Sequence, residues 1–154
     1  MLAVAKNALL VGGDNGLAAS TDGGKTFARV PGVKPCLGVG GRFAVSPDGL
    51  RIVYSFRGQV VASADGGKTF APLAGPEGTF LAAVAWSGKT MGAVAQTGKL
   101  QSEGDMTFFT PDGKASLVAS EDGKGWRAAG EAVKQVPEVI AGTKDEKGLC
   151  LGTK

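Results

Sequence analysis

Ser63-Ala64-Asp65-Gly66-Gly67-Lys68-Thr69-Phe70 stands near the middle of the chain, and Ser20-Thr21-Asp22-Gly23-Gly24-Lys25-Thr26-Phe27 anticipates it almost verbatim 43 positions earlier. A repeat of that period predicts stacked or radially repeated supersecondary units rather than one ordinary mixed domain. Within each octet the residue types suit a hairpin turn wired to itself. An Asp followed by two glycines accepts backbone N–H bonds with its carboxylate while the glycines take positive φ. The Ser and Thr hydroxyls bond the same turn locally, and the closing Phe opens a strand and carries apolar area between layers. Nothing in this constellation requires a ligand.

Working outward, each octet closes a set of short strands. Residues 1–11 read as two strands around a Lys6-Asn7 turn, Leu17 to Ala19 leads into the first octet, and Thr26 to Val30 leaves it before Pro31-Gly32. The second set is Leu37 to Val45 with a bulge at Gly40-Gly41, the turn Ser46-Pro47-Asp48-Gly49, Arg51 to Phe56, Gln59 to Ala62, and Thr69 to Leu73. A third runs through Phe80 to Trp86 and Thr90 to Ala95 and ends in a damaged octet at Ser102 to Phe108. A fourth imperfect octet, Ser120-Glu121-Asp122-Gly123-Lys124-Gly125-Trp126, follows too soon for a full set. Either two inner strands are missing there or one of the degenerate copies is accidental. Glu131 to Val136 reads as a helical turn or a loop; Val139 to Gly142 and Leu149 to Leu151 read as an inner strand pair around Lys144 to Lys147. One domain spanning 1–154 is expected, and 154 residues at 43 per set make about 3.6 sets.

Composition agrees with many short strands. Glycine supplies 26 residues, about one in six, against a usual share of roughly 7%. The net charge of +3 is small and scattered, which argues against a nucleic-acid partner, and no apolar run is long enough to span a membrane. The start, Met1-Leu-Ala-Val-Ala-Lys6, lacks the form of a signal peptide. A mature or trimmed extracytoplasmic or organelle-lumenal chain would read the same, so the compartment stays open.

Histidine is absent, which removes the commonest general base and the commonest zinc ligand. Cys36 and Cys150 have no metal-type spacing and are expected as buried free thiols, a single bridge being the alternative. Gly-Lys-Thr occurs at Gly24, Gly67 and Gly88, but a phosphate loop needs a glycine five residues earlier, where Ala19, Ala62 and Ala83 stand. Asp22 and Asp65 lack the alternate oxygen ligands and distant Glu of a calcium loop. No metal and no cofactor are expected.

The pattern Ser-x-Asp-x-Gly-x-Thr-aromatic resembles the Asp-box, the bacterial neuraminidase repeat of many β-propellers. Ser20, Asp22, Gly24, Thr26 and Phe27, and again Ser63, Asp65, Gly67, Thr69 and Phe70, occupy its defined positions, with Phe where Trp is more usual. The resemblance implies an all-β, propeller-like fold of four-stranded antiparallel blades, a small or partial ring, with each box a structural turn between two outer strands. The family includes sialidases, sortilin-type receptors, xyloglucan-degrading enzymes and a photosystem II assembly factor. A sialidase site would need an arginine cluster, a Tyr nucleophile with a Glu partner and an Asp acid/base. Tyr54 is the one tyrosine, and on a strand Ile52, Tyr54 and Phe56 face away from Arg51, Val53, Ser55 and Arg57. Tyr54 is therefore expected as packing, and the Arg-Ile-Pro motif of those enzymes is absent. No catalytic residue is assigned. Arg51 and Arg57 are the candidates for contact with an anionic partner.

The function expected is a non-catalytic interaction or scaffold module, an accessory subunit or assembly factor of a larger complex. Its partners are other protein chains, in a hetero-complex or by self-completion of the ring, whose open edges invite pairing. The alternative is a glycan-binding or sialidase-like protein, with Trp86 and Trp126 as stacking platforms.

Overall fold

The structure, a computed structural model, describes residues 1–33, 42–56, 59–103, 106–130, 139–142 and 149–152. Three four-stranded antiparallel sheets follow one another along the chain, each ordered as its strands occur in sequence. Sheet 1 holds β1 (Leu2–Val4), β2 (Leu9–Gly13), β3 (Gly16–Ser20) and β4 (Ala28–Arg29). Sheet 2 holds β5 (Arg42–Val45), β6 (Ile52–Phe56), β7 (Gln59–Ser63) and β8 (Ala71–Pro72). Sheet 3 holds β9 (Phe80–Ser87), β10 (Thr90–Glu103), β11 (Met106–Ser120) and β12 (Arg127–Ala128). A two-stranded sheet, β13 (Val139–Gly142) with β14 (Leu149–Gly152), lies along β9. The architecture is all-β and propeller-like, three whole units and the inner pair of a fourth, and no helix occurs among the described residues.

The sheets repeat in register as well as in order. Ser20, Ser63 and Ser120 each end a third strand and stand opposite Leu9, Ile52 and Met91. Past each fourth strand, Val30, Leu73 and Ala129 donate their N–H to Leu17, Val60 and Leu117. This equivalence identifies the turn at 120–126 as the third copy and removes the damaged octet expected at 102–108. Ser102 pairs with Thr107 and Glu103 with Met106, so that segment closes the β10–β11 hairpin instead of leading to a fourth strand. The hairpin is long because both strands run on past a register break between Gln96 and Gly98, where Thr97 donates its hydroxyl to Asp112. The ring of Phe109 packs on Phe80 at 4.4 Å and lies where a Cβ on Gly98 would fall. The bulge expected at Gly40-Gly41 and the segment 131–136 lie outside the described residues.

Alternation along the strands sends side chains to two seams. Between sheets 1 and 2, Ala8, Leu10, Leu17, Val30 and Val33 meet Ile52, Tyr54, Phe56 and Val61. Between sheets 2 and 3, Ala44, Val53 and Val60 meet Leu81, Val84, Met91, Ala93 and Val118. Every residue of β6 is buried, since that strand serves both seams. Fully burying such a side chain contributes roughly 1.5–3 kcal/mol, more than the roughly 1 kcal/mol of a single hydrogen bond. The seams therefore hold the stack and the turns set its spacing.

That spacing depends on missing Cβ atoms. Gly24 and Gly67 are equivalent and share left-handed φ values of 90° and 93°. A Cβ on Gly67 would lie 2.8 Å from the Ala8 Cβ across the seam, whereas on Gly24 it would meet only the far end of Leu9 in its own sheet, at 3.2 Å. Alanine costs about 1–2 kcal/mol at either position for backbone strain. Gly67→Ala adds overpacking, so it should lower stability by about 1–3 kcal/mol more than Gly24→Ala in urea unfolding. Equal losses would show that the close approach at Gly67 does not limit the seam.

Candidate functional site

The polar side chains that the sequence singles out gather at one end of the stack, in the turns joining first to second and third to fourth strands. In the first octet, Asp22 Oδ1 accepts from the Ser20 hydroxyl at 2.7 Å and from the Lys25 and Thr26 N–H groups at 3.0 Å, while Oδ2 accepts from the Thr26 hydroxyl at 2.6 Å. The Ser20 oxygen in turn accepts the Gly24 N–H at 2.8 Å. The second octet repeats each bond. Asp65 accepts from Ser63, Lys68 and both donors of Thr69, and Ser63 accepts from Gly67. Of the ten residues named for the two octets, Ser20 and Ser63 end the third strands and the other eight lie between third and fourth strands; Ser, Asp, Gly and Thr make the wiring, and Phe27 and Phe70 follow it.

The third copy is one residue shorter and lacks the threonine. Asp122 accepts from Ser120, Lys124 and Gly125, and the Ser120 oxygen accepts from Gly123, one position earlier than in the other two. The turn expected at Ser46-Pro47-Asp48-Gly49 carries a further copy of the device. Ser46 donates to Asp48, Asp48 accepts from Leu50, and Ser46 accepts from Arg51, which closes the β5–β6 turn. The shared Ser-x-Asp spacing was its signal.

These bonds favour the ionised carboxylates. Asp22 and Asp65 are held far below the ordinary carboxylate range, chiefly by the hydroxyls of Thr26 and Thr69 and then by the same residues' N–H groups. Asp122 falls to about 2, first through the N–H groups of Gly125 and Lys124. An aspartate so held is neither a general acid near neutral pH nor an open nucleophile.

The remaining candidates sit in the seams. Tyr54 is buried against Phe43, with ring centroids 4.8 Å apart, and lies over the bare face of Gly12. Its hydroxyl has no partner among the described residues, and burial, with the nearby charge of Asp14 second, pushes its pKa up. Tyr54 and Arg51 lie on opposite faces of the sheet, as their spacing predicts. Arg51 donates to the Lys89 carbonyl at 2.9 Å, and its guanidinium stacks 5.0 Å from the Trp86 ring centre, which binds sheet 2 to sheet 3. Arg57, Cys36 and the side chain of Cys150 lie outside what is described. Trp126 donates its indole N–H to the Ala74 carbonyl across the same seam.

Between the second and third turns a crevice of about 290 Å³ is lined by Arg51, Leu73, Trp86, Met91, Glu121 and Gly123, among others. The Trp86 indole nitrogen is buried without a partner among the described residues. No three His, Cys, Asp or Glu side chains cluster as metal ligands would, and no helix is long and apolar enough to cross a membrane, among the described residues.

Asn7, a plain turn residue by sequence, joins sheet 1 to the second octet. Its N–H donates to the Gly66 carbonyl at 3.1 Å and its side-chain amide to the Asp65 carbonyl at 3.0 Å, while Lys6 donates to the Gly49 carbonyl. Nothing in the sequence of a two-residue turn announces so distant a partner. A scan against protein-family models finds no match for the chain, and a search of curated proteins finds none either.

The carboxylate shifts fix an acid response. Each folded-state pKa lies below its unfolded value, so the unfolded chain binds more protons in that interval and stability falls as pH falls. The contribution is complete above the ordinary carboxylate pKa of about 4 and drains away below it, through about 2 for Asp122 and lower still for Asp22 and Asp65. Asp65→Asn should lower stability at pH 7 and flatten the acid limb, measured by urea unfolding across pH. An acid limb as steep as the parent's would remove Asp65 from this role.

Proposed function

We propose that the chain is a non-catalytic, Asp-box propeller-like interaction module, an accessory subunit or assembly factor that works by protein contact. The observation that carries this reading is the uncovered face of sheet 1. Leu2 and Val4 are each 67% exposed, Val11 41% and Phe27 46%, on the side turned away from sheet 2. Leu2 stands opposite Val11, and Val11, Ala18 and Phe27 line one groove whose polar side is Asp14, Asn15 and Arg29. Scattered apolar residues are ordinary on a surface, but a joined apolar face of a sheet marks a contact site. The polar groups that catalysis would call on support the same reading, because they are occupied: Asp22, Asp65 and Asp122 in their turns, Arg51 against Lys89 and Trp86, and Tyr54 inside a seam.

The second reading, a glycan-binding or sialidase-like protein, draws on the crevice beside Trp86 and Arg51. At about 290 Å³ it falls at the lower end of the sizes that hold small ligands. The two readings separate on a panel of fluorogenic glycosides, sialosides included, and on tryptophan fluorescence with the free sugars. The expected result is no turnover and no change in emission. Tyr54→Phe, which removes a buried hydroxyl lacking a described partner, should leave stability unchanged or raise it by about 1 kcal/mol. Sialoside turnover that Tyr54→Phe abolishes would overturn the proposal.

A further inference from the structure

The seams are directional, and sheet 1 carries one half of a seam with nothing on it among the described residues. Six of the equivalent positions on that face carry the apolar packing of each seam: two on the first strand, two on the second, one on the third, and the aromatic that closes the turn. In sheet 2 they are Phe43, Val45, Ile52, Tyr54, Val61 and Phe70, all packed against sheet 1. In sheet 3 they are Val84, Trp86, Met91, Ala93, Val118 and Trp126, all packed against sheet 2. In sheet 1 they are Leu2, Val4, Leu9, Val11, Ala18 and Phe27. Every one is apolar, and no sheet covers them among the described residues; Arg29, opposite Ala18 on the fourth strand, is the charged residue of the same face. A solvent face would alternate to polar residues here.

The turns repeat the asymmetry. Gly66 takes Asn7 so closely that a Cβ would lie 2.6 Å from its amide nitrogen, and both Gly66 and Gly67 are buried. Gly23, the equivalent of Gly66 with the same left-handed backbone, has nothing within 4 Å of where its Cβ would be. Sheet 1 thus presents a prepared turn and a prepared apolar face to a sheet that would approach as sheet 1 itself approaches sheet 2.

At the opposite end of the stack lies the β13–β14 pair, beside β9. Its sequence, Val139-Ile-Ala-Gly142 and Leu149-Cys-Leu-Gly152, is apolar or glycine at every position, the pattern of strands covered on both sides. One end of the chain is therefore an accepting face and the other an apolar sheet that follows the direction of stacking. We infer that the accepting face of sheet 1 takes the β13–β14 end of a second copy, a head-to-tail contact that closes as a ring or grows as a filament. This rests on the reading of the chain as a contact module and names its partner.

The test is the mass of the full chain by light scattering over a range of concentrations, for the parent, Val11→Asp and Gly23→Asn. Both substituted sites are exposed, and asparagine tolerates the left-handed backbone at 23, so both variants keep the fold, which circular dichroism and urea unfolding verify. The parent should run at a multiple of 15.4 kDa, or at a mass that climbs with concentration, and both variants at 15.4 kDa. A parent that stays at 15.4 kDa throughout overturns the inference, as does an assembly that neither variant disturbs. A silent glycoside panel beside a monomeric parent would end the self-association and leave the contact-module reading standing; sialoside turnover would end that reading whatever the mass.

Discussion

A carboxylate that collects four hydrogen bonds from its own turn is the constraint on which the rest of this structure depends. Asp22 and Asp65 each accept two N–H groups and two hydroxyls within a stretch of seven residues. The chain reaches that geometry through two consecutive glycines in the left-handed region, which other residues enter at a cost. The same glycines leave the outside of the turn bare. Because Gly66 and Gly67 have no side chains, Asn7 and Ala8 come against the main chain itself, and sheet 1 settles on sheet 2 at one fixed height. Local wiring and long-range spacing are thus two consequences of one pair of residues.

The price of packing sheets this way falls on polar groups caught in the seams. Tyr54 fills the space above Gly12 and contacts Phe43, yet its hydroxyl finds no described partner. A buried unpartnered hydroxyl costs about 1–3 kcal/mol, which the ring's apolar burial of comparable size offsets. Arg51 shows the contrasting solution. Its stem crosses the end of a seam, its head bonds a backbone carbonyl, and its charge lies over an indole. That use of an arginine stiffens the joint between sheets and leaves fewer of its donors for a partner.

Much of this was legible wherever the cause is local. The octets announce their turns because every atom they need lies within eight residues. The two faces of β6 follow from period-two alternation through Ile52, Val53 and Tyr54, and the β13–β14 pair from two apolar runs around a charged turn. What stayed hidden depends on residues far apart. Ser102 to Phe108 has the composition of a third-to-fourth-strand turn, and only the opposition of Ser120 to Met91 shows that β10 and β11 continue past it. Asn7 reads as a plain turn residue until the Asp65 and Gly66 carbonyls stand in front of it. For Arg51 the strand period settles the face but carries no sign of Lys89 or Trp86, which belong to the next sheet.

The third turn shows what happens when the constraint is relaxed. With one residue fewer, Ser120 captures Gly123 in place of the next N–H, and one left-handed glycine remains in the turn where the others have two. Leu73 then occupies the bare face of Gly123, the place that Asn7 takes on Gly66. A leucine has no amide to repeat the side-chain bond of that asparagine, and the Leu73 N–H goes to the Val60 carbonyl, so the second seam relies on apolar contact, on Trp126 reaching the Ala74 carbonyl and on Arg51. The crevice beside Trp86 lies in this second seam, with Leu73 and Gly123 both in its wall. The first turn has the opposite character. It keeps the full octet, both left-handed glycines and the apolar row, and so retains the requirements of the tighter seam on the face of sheet 1 that no described sheet covers.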